Sequence, residues 1–166
     1  NQIEIAINST LEFADENDFK VICIYPNTDP GSDQIINCYK NIKSNRMKVY
    51  KTLDNDVFIN CLRNAKALIG NSSMGILEAP YYKLPVVNIG NRQKGRLNAG
   101  NVEFVNYNKE EIKTSIKKAC IDTEYRKKIE SIVNPYGDGF SSQKAIEVIK
   151  EIEPNDKKWR VKSKLC

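Results

Sequence analysis

The sequence predicts an α/β fold: a Rossmann-like parallel sheet with helices on both faces. Five short, apolar, β-branched runs recur along the chain, and stretches with helical apolar spacing separate them. Glycine and polar residues gather just after the runs, where connecting loops belong. Strands that are apolar throughout need cover on both faces, and parallel neighbours need a crossover that is usually a helix.

Residues 1–17 read as a helix feeding the first strand, 21–25. A helix over 32–41 leads to the second strand, 47–50, and one over 54–64 to the third, 67–69. Residues 74–81 read as the next helix and 85–89 as the fourth strand. The fifth strand, 102–105, precedes a helix over 109–121. Ser32, Asp54 and Ser73 stand where helix caps are expected. Two more helical segments, 124–133 and 141–152, flank Asn134-Pro135-Tyr136-Gly137-Asp138-Gly139, whose two glycines and proline mark a loop.

Composition narrows the chemistry. The 166 residues suffice for one domain of ordinary size, expected over 1–152, with a basic tail over 153–166. Hydrophobic residues at 40%, charged residues at 28% and a mean hydropathy of -0.53 describe a soluble globular chain. No apolar run approaches the ~20 residues that span a bilayer, so no membrane partner is expected. The formal charge is +5, but Lys157, Lys158, Arg160, Lys162 and Lys164 against one Asp put +4 of it into the last 13 residues. A nearly neutral body argues against nucleic acid as a partner.

The histidine count is zero, which removes the commonest general base near neutral pH and the commonest metal ligand. Five dispersed cysteines form no C-x-x-C pair, so neither a metal site nor a redox motif is expected. Cys23 and Cys61 read as buried small hydrophobes. The odd, scattered set and the lack of a secretory signal suggest a cytoplasmic protein. The chain has no initiator methionine and opens inside a helix, so it is expected to be part of a longer protein.

Ligands of such sheets bind beyond the carboxyl ends of the strands, where four loops fall here: 26–32, 51–53, 70–73 and 90–100. Gly70-Asn71-Ser72-Ser73 offers a sharp turn, two hydroxyls and the start of a helix, the outline of a phosphate cradle. Ser72 or Ser73 could equally serve as a plain helix cap. Glu78 has the two acceptor oxygens that would hold vicinal ribose hydroxyls, or is a surface charge. Asn88-Ile89-Gly90-Asn91-Arg92-Gln93-Lys94-Gly95-Arg96 brings guanidinium forks suited to diphosphate, or is a solvated basic loop. Asn27 and Asp29 sit in a proline-bounded turn. No Walker lysine-serine pair, G-x-G-x-x-G or G-x-S-x-G elbow is present, which excludes the usual NTPase, NAD-enzyme and α/β-hydrolase signatures. These residues point to an anionic ligand, a nucleotide diphosphate, at the strand ends.

Taken in order and spacing, Tyr25 to Ser32, Ile69 to Ala79, Pro85 to Arg96 and Asn134 to Gly139 resemble one family. It is the hydrolysing UDP-N-acetylglucosamine 2-epimerases of sialic-acid-type pathways, and the chain looks like their C-terminal half. The resemblance implies one half of a GT-B fold, with Ser72 and Ser73 on the diphosphate and Glu78 on the ribose. Asn27 and Arg92 would line the nucleotide-sugar cleft. It implies a UDP-sugar substrate, no cofactor, a homo-oligomer at full length, and a partner N-terminal domain of the same protein that holds the acid/base carboxylates. The family's histidine lies just before the segment where this chain begins, so no catalytic residue carries over. Tyr82-Lys83 departs from the family's aromatic-glycine pair. A stand-alone nucleotide-sugar binding or regulatory module is the competing reading, and a GT-B glycosyltransferase half fits the 88–96 stretch poorly.

Overall fold

Val86–Ile89 carries a run of side chains with no polar alternation except Asn88, and such a strand is stable only in the middle of a covered sheet. In the structure, a computed structural model that describes residues 1–153 and 155, all four of its residues are buried. This strand, β4, runs parallel to β3 (Leu68–Gly70) on one side and β5 (Val102–Val105) on the other. Leu68 lies opposite Val86, and Val86 opposite Val102.

Alternate residues of β4 face opposite sides, and each side has its own helical cover. Val87 and Ile89 pack with Val105 against α1 (Gln2–Glu16) and α5 (Lys109–Ile121), through Phe13, Ile112, Ile116 and Ala119. Val86 faces the other way, onto Leu62 and Phe58 of α3 (Asn55–Asn64) and onto Ala79 and Leu84. Helices on both faces of parallel strands are what the alternation predicts. In α1 the buried hydroxyls of Ser9 and Thr10 each donate to the carbonyl four residues back, at 2.7 Å, so the polar groups in this packed face are satisfied within the helix.

The five strands do not share one hydrogen-bonded layer. β1 (Val21–Ile24) and β2 (Met47–Tyr50) pair with each other, in parallel, separately from β3–β5. With only three residues, β3 offers few backbone groups to a second neighbour. The β1–β2 pair is also thinly covered: Ile22 is 52% exposed, and α2 (Ser32–Asn41) contains no buried residue.

The helix expected over 74–81 is cut in two. Pro80 lacks an N–H and its ring crowds the carbonyl four residues back, so α4 (Met74–Leu77) stops and a 3-10 turn, Ala79–Tyr82, follows. The turn ends on Lys83 at φ +52°, a left-handed position that ordinarily favours glycine. Lys83 Nζ donates to the Ile132 carbonyl. The expected caps fare unevenly. Ser32 is the first residue of α2 behind Gly31, and Asp54 and Ser73 stand at the cap positions of α3 and α4 without side-chain hydrogen bonds.

Asn1–Pro135 forms one compact unit, closed by α6 (Thr123–Glu130). A second unit begins at Tyr136 and, among the described residues, holds α7 (Ser141–Lys150), all of it exposed. The expected basic tail lies outside the described residues apart from Glu153 and Asn155. Among the described residues no helix is long and apolar enough to cross a membrane, and no cluster of three metal-ligating side chains occurs. Cys23, Cys38, Cys61 and Cys120 are free. Cys23 and Cys61 are only partly buried, not the core residues their surroundings predict. Burial pushes the Cys120 thiol up to about 11, which keeps it protonated at neutral pH.

Candidate functional site

The register of β3, β4 and β5 sets their carboxyl ends side by side, with Gly70 opposite Asn88 and Ile89 opposite Val105. The loops after β3 and β4 therefore leave from one edge. Gly90 ends β4 at φ +87°, and a Cβ there would lie 2.7 Å from the Tyr107 hydroxyl. Gly90→Ala is expected to cost about 1–3 kcal/mol through overpacking and left-handed strain, read as a lower urea midpoint at unchanged slope.

In the Gly70 to Ser73 turn, the Ser72 hydroxyl accepts from the Met74 N–H at 3.3 Å. It acts as a local cap, one of the two roles open to it from sequence. The Ser72 carbonyl accepts from Gly75 N–H at 3.2 Å, and the Ser73 carbonyl accepts from both Ile76 and Leu77 at 2.9 Å. The N–H groups of Ser72 and Ser73, and the Ser73 hydroxyl, bond to no other described residue. Four residues of α-helix give little aligned dipole, so anion binding at this turn would depend on those individual donors and not on a helix field.

Tight packing fixes the turn from beneath. A Cβ at Gly75 would lie 2.8 Å from Val86 Cγ1, so α4 meets β4 at a distance only glycine allows. Asn101, fully buried, donates from Nδ2 to the carbonyls of Gly75 (3.1 Å) and Leu84 (3.2 Å). Asn134 Nδ2 donates to the Leu77 carbonyl at 2.9 Å.

Two side-chain links gather the loops. Arg92, 60% exposed, holds its Nη2 3.5 Å from Asp29 Oδ2, which brings the loop after β1 to the loop after β4. Gln93 is buried. Its Nε2 donates to the Asn71 carbonyl at 3.1 Å and its Oε1 accepts from Arg96 Nη1 at 2.7 Å, which joins the loop after β4 to the turn after β3. Of the residues expected from sequence, Ser72, Ser73 and Arg92 thus lie in linked loops. Asn27 is exposed two residues before Asp29 and makes no side-chain hydrogen bond to a described residue. Glu78 is exposed at the end of α4, anchored through its N–H to the Met74 carbonyl at 2.9 Å, and its carboxylate pairs with no described residue. Sequence reasoning passed over Gln93 as a separate element of the site. Its only signal was a position between two arginines. A groove of about 280 Å3 lies elsewhere, lined by Asn1, Ile5, Asn8, Ser9, Glu12 and Lys109 among others, and contains none of these residues.

The profile of the UDP-N-acetylglucosamine 2-epimerase family matches residues 1–150. The chain belongs to this family. Among its relatives is a UDP-N,N'-diacetylbacillosamine 2-epimerase (hydrolyzing) from Legionella pneumophila, 32% identical over 153 residues, which are 92% of this chain and 39% of the relative. A GDP/UDP-N,N'-diacetylbacillosamine 2-epimerase (hydrolyzing) from Campylobacter jejuni is 46% identical over 65 residues, 39% of this chain and 16% of that one. The chain thus spans well under half the length of the relatives it matches.

Solved structures of the family share the fold. The Neisseria meningitidis UDP-GlcNAc 2-epimerase bound to UDP-GlcNAc superposes with a TM-score of 0.67 at 22% identity, over 90% of this chain and 41% of that one. The Methanocaldococcus jannaschii UDP-GlcNAc 2-epimerase in complex with UDP-GlcNAc and UDP gives 0.67 at 19% identity, over 90% and 40%. The epimerase architecture, half of a GT-B fold, therefore holds for this chain.

Proposed function

We propose that this chain is the UDP-binding half of a hydrolysing 2-epimerase acting on a UDP-linked 2-acetamido sugar. What supports this reading, beyond family membership, is the linkage of the Ser72–Ser73 turn to the Arg92 loop at the strand ends, with donors in the turn that bond to no other described residue. Ser72 and Ser73 hold the diphosphate through N–H and hydroxyl donors, Glu78 accepts from the ribose hydroxyls, and Arg92 and Asn27 line the nucleotide-sugar cleft.

The reaction proceeds in two stages. A base removes the proton at sugar C2 as the bond from C1 to the UDP oxygen breaks, giving a 2-acetamidoglycal and UDP. Water then adds across the double bond, hydroxyl to C1 and proton to C2, to release the 2-epimerised sugar. Charge develops on the departing β-phosphate, and donors aimed at it lower the barrier. The acid/base groups belong to an N-terminal domain of the same protein, in a cytoplasmic homo-oligomer that needs no cofactor.

The full-length protein incubated separately with UDP-GlcNAc and with UDP-N,N'-diacetylbacillosamine is expected to release UDP and the 2-epimer from one of them without any acceptor. The names of the Legionella and Campylobacter relatives favour the second. No UDP from either substrate overturns the enzyme reading in favour of a binding module. Release that requires an added acceptor points instead to a glycosyltransferase.

A further inference from the structure

We propose that Gln93 is a positioning residue for the diphosphate turn, aiming the Ser72 N–H through the peptide bond that Ser72 shares with Asn71. The inference rests on the UDP-binding reading above. Gln93 is 3% exposed, whereas its neighbours Arg92 and Lys94 are exposed. A glutamine buried in a polar loop is unusual, and it persists only when both ends of its amide are satisfied. Here Nε2 donates to the Asn71 carbonyl, 22 residues away in sequence, and Oε1 accepts from Arg96. Both contacts require the same amide orientation, because a guanidinium can only donate and a carbonyl can only accept.

The Asn71 carbonyl and the Ser72 N–H belong to one planar, trans peptide unit, so they point in opposite directions. Fixing the carbonyl oxygen on Gln93 therefore fixes where the Ser72 N–H points, and that N–H donates to no described residue. Hydrogen bonds in a chain polarise one another. The Arg96 charge strengthens the Gln93 amide as a donor, and a bonded Asn71 carbonyl strengthens the Ser72 N–H. Arg96, Gln93 and the 71–72 peptide thus carry positive potential from an exposed cation to a donor in the turn.

Gln93→Glu tests this, because its carboxylate still accepts from Arg96 but cannot donate to the Asn71 carbonyl. In the full 166-residue chain, calorimetry should show UDP affinity about tenfold weaker and uridine affinity unchanged within twofold, since uridine has no diphosphate. Amide hydrogen exchange over residues 70–75 should be faster than in the parent. Equal losses for UDP and uridine would mean a merely structural role and overturn the proposal, as would unchanged UDP affinity. A parent chain that binds no UDP overturns the underlying site reading instead. Exchange over 70–75 then still decides the positioning role, and equal rates in variant and parent sink it. Gln93→Met, which fills similar volume with neither polar end and brings no negative charge near the diphosphate, should show the same selective loss of UDP affinity. A loss confined to Gln93→Glu would reflect the added charge alone and overturn the proposal.

Discussion

Glu78→Ala is expected to weaken UDP binding by the 166-residue chain about 10- to 100-fold and to leave its thermal stability nearly unchanged. A carboxylate accepting from ribose hydroxyls makes charge-assisted hydrogen bonds. At this exposed position the pair is worth about what one such bond contributes, on the order of 1.5–3 kcal/mol, and about 1.4 kcal/mol is a factor of ten. The side chain is exposed and pairs with no described residue, so its removal leaves no protein group unsatisfied. Such surface changes usually stay within about 0.5 kcal/mol of the parent. The competing reading, a plain surface charge, predicts the opposite sign. Removing a negative charge near an anion site would slightly tighten binding of UDP. A 2'-deoxy analogue sharpens the measurement: the parent should prefer UDP over dUDP, and Glu78→Ala should lose most of that preference. Calorimetry that finds equal or tighter UDP binding in the variant removes Glu78 from the site.

How far the site could be read in advance follows from how local each feature is. Strand and helix positions came through because the apolar runs and their spacing are written in contiguous residues. The early end of α4 traces to Pro80, whose effect on the helix is local, and Lys83 takes the left-handed position that closes the following turn. What pairs with what across the chain was not legible. Nothing in residues 21–25 or 67–69 says that β1 and β3 stay out of one ladder, because that depends on backbone groups brought together only by folding. The Arg92–Asp29 and Gln93–Asn71 contacts are likewise long-range. Gln93 and Asn101 were harder still, since amide side chains are mostly exposed and their burial here has no compositional mark. The choice of Ser72, Ser73, Glu78, Asn27 and Arg92 as candidates rests on contiguous motifs, whereas the groups that hold the turn in shape carry no such local mark.

Asn101 shows what such a supporting group should be worth. Asn101→Ala is expected to destabilise the chain by about 2–5 kcal/mol, since its amide is fully buried and donates to two carbonyls, those of Gly75 and Leu84. These carbonyls lie on either side of the Pro80 turn, and the Asn101 carbonyl itself accepts from the Val86 N–H at 2.8 Å, so one residue fastens α4, the chain entering β4 and the start of β5. Its Oδ1 is buried without a partner among the described residues, so the side chain is held there by its donor end. That asymmetry makes a specific ordering. Asn101→Asp conserves shape but presents only acceptors to two carbonyl oxygens, adding repulsion and an unpaired buried charge, and should be less stable than Asn101→Ala. Asn101→Leu loses the same donor without adding a charge and should be more stable than Asn101→Asp. Urea unfolding of the three variants reads this order directly, with the slope unchanged if the native fold is retained. An Asp variant as stable as the parent would mean that the two carbonyls do not depend on Asn101, and that the Gly75 contact with Val86 alone sets the height of α4 above the sheet.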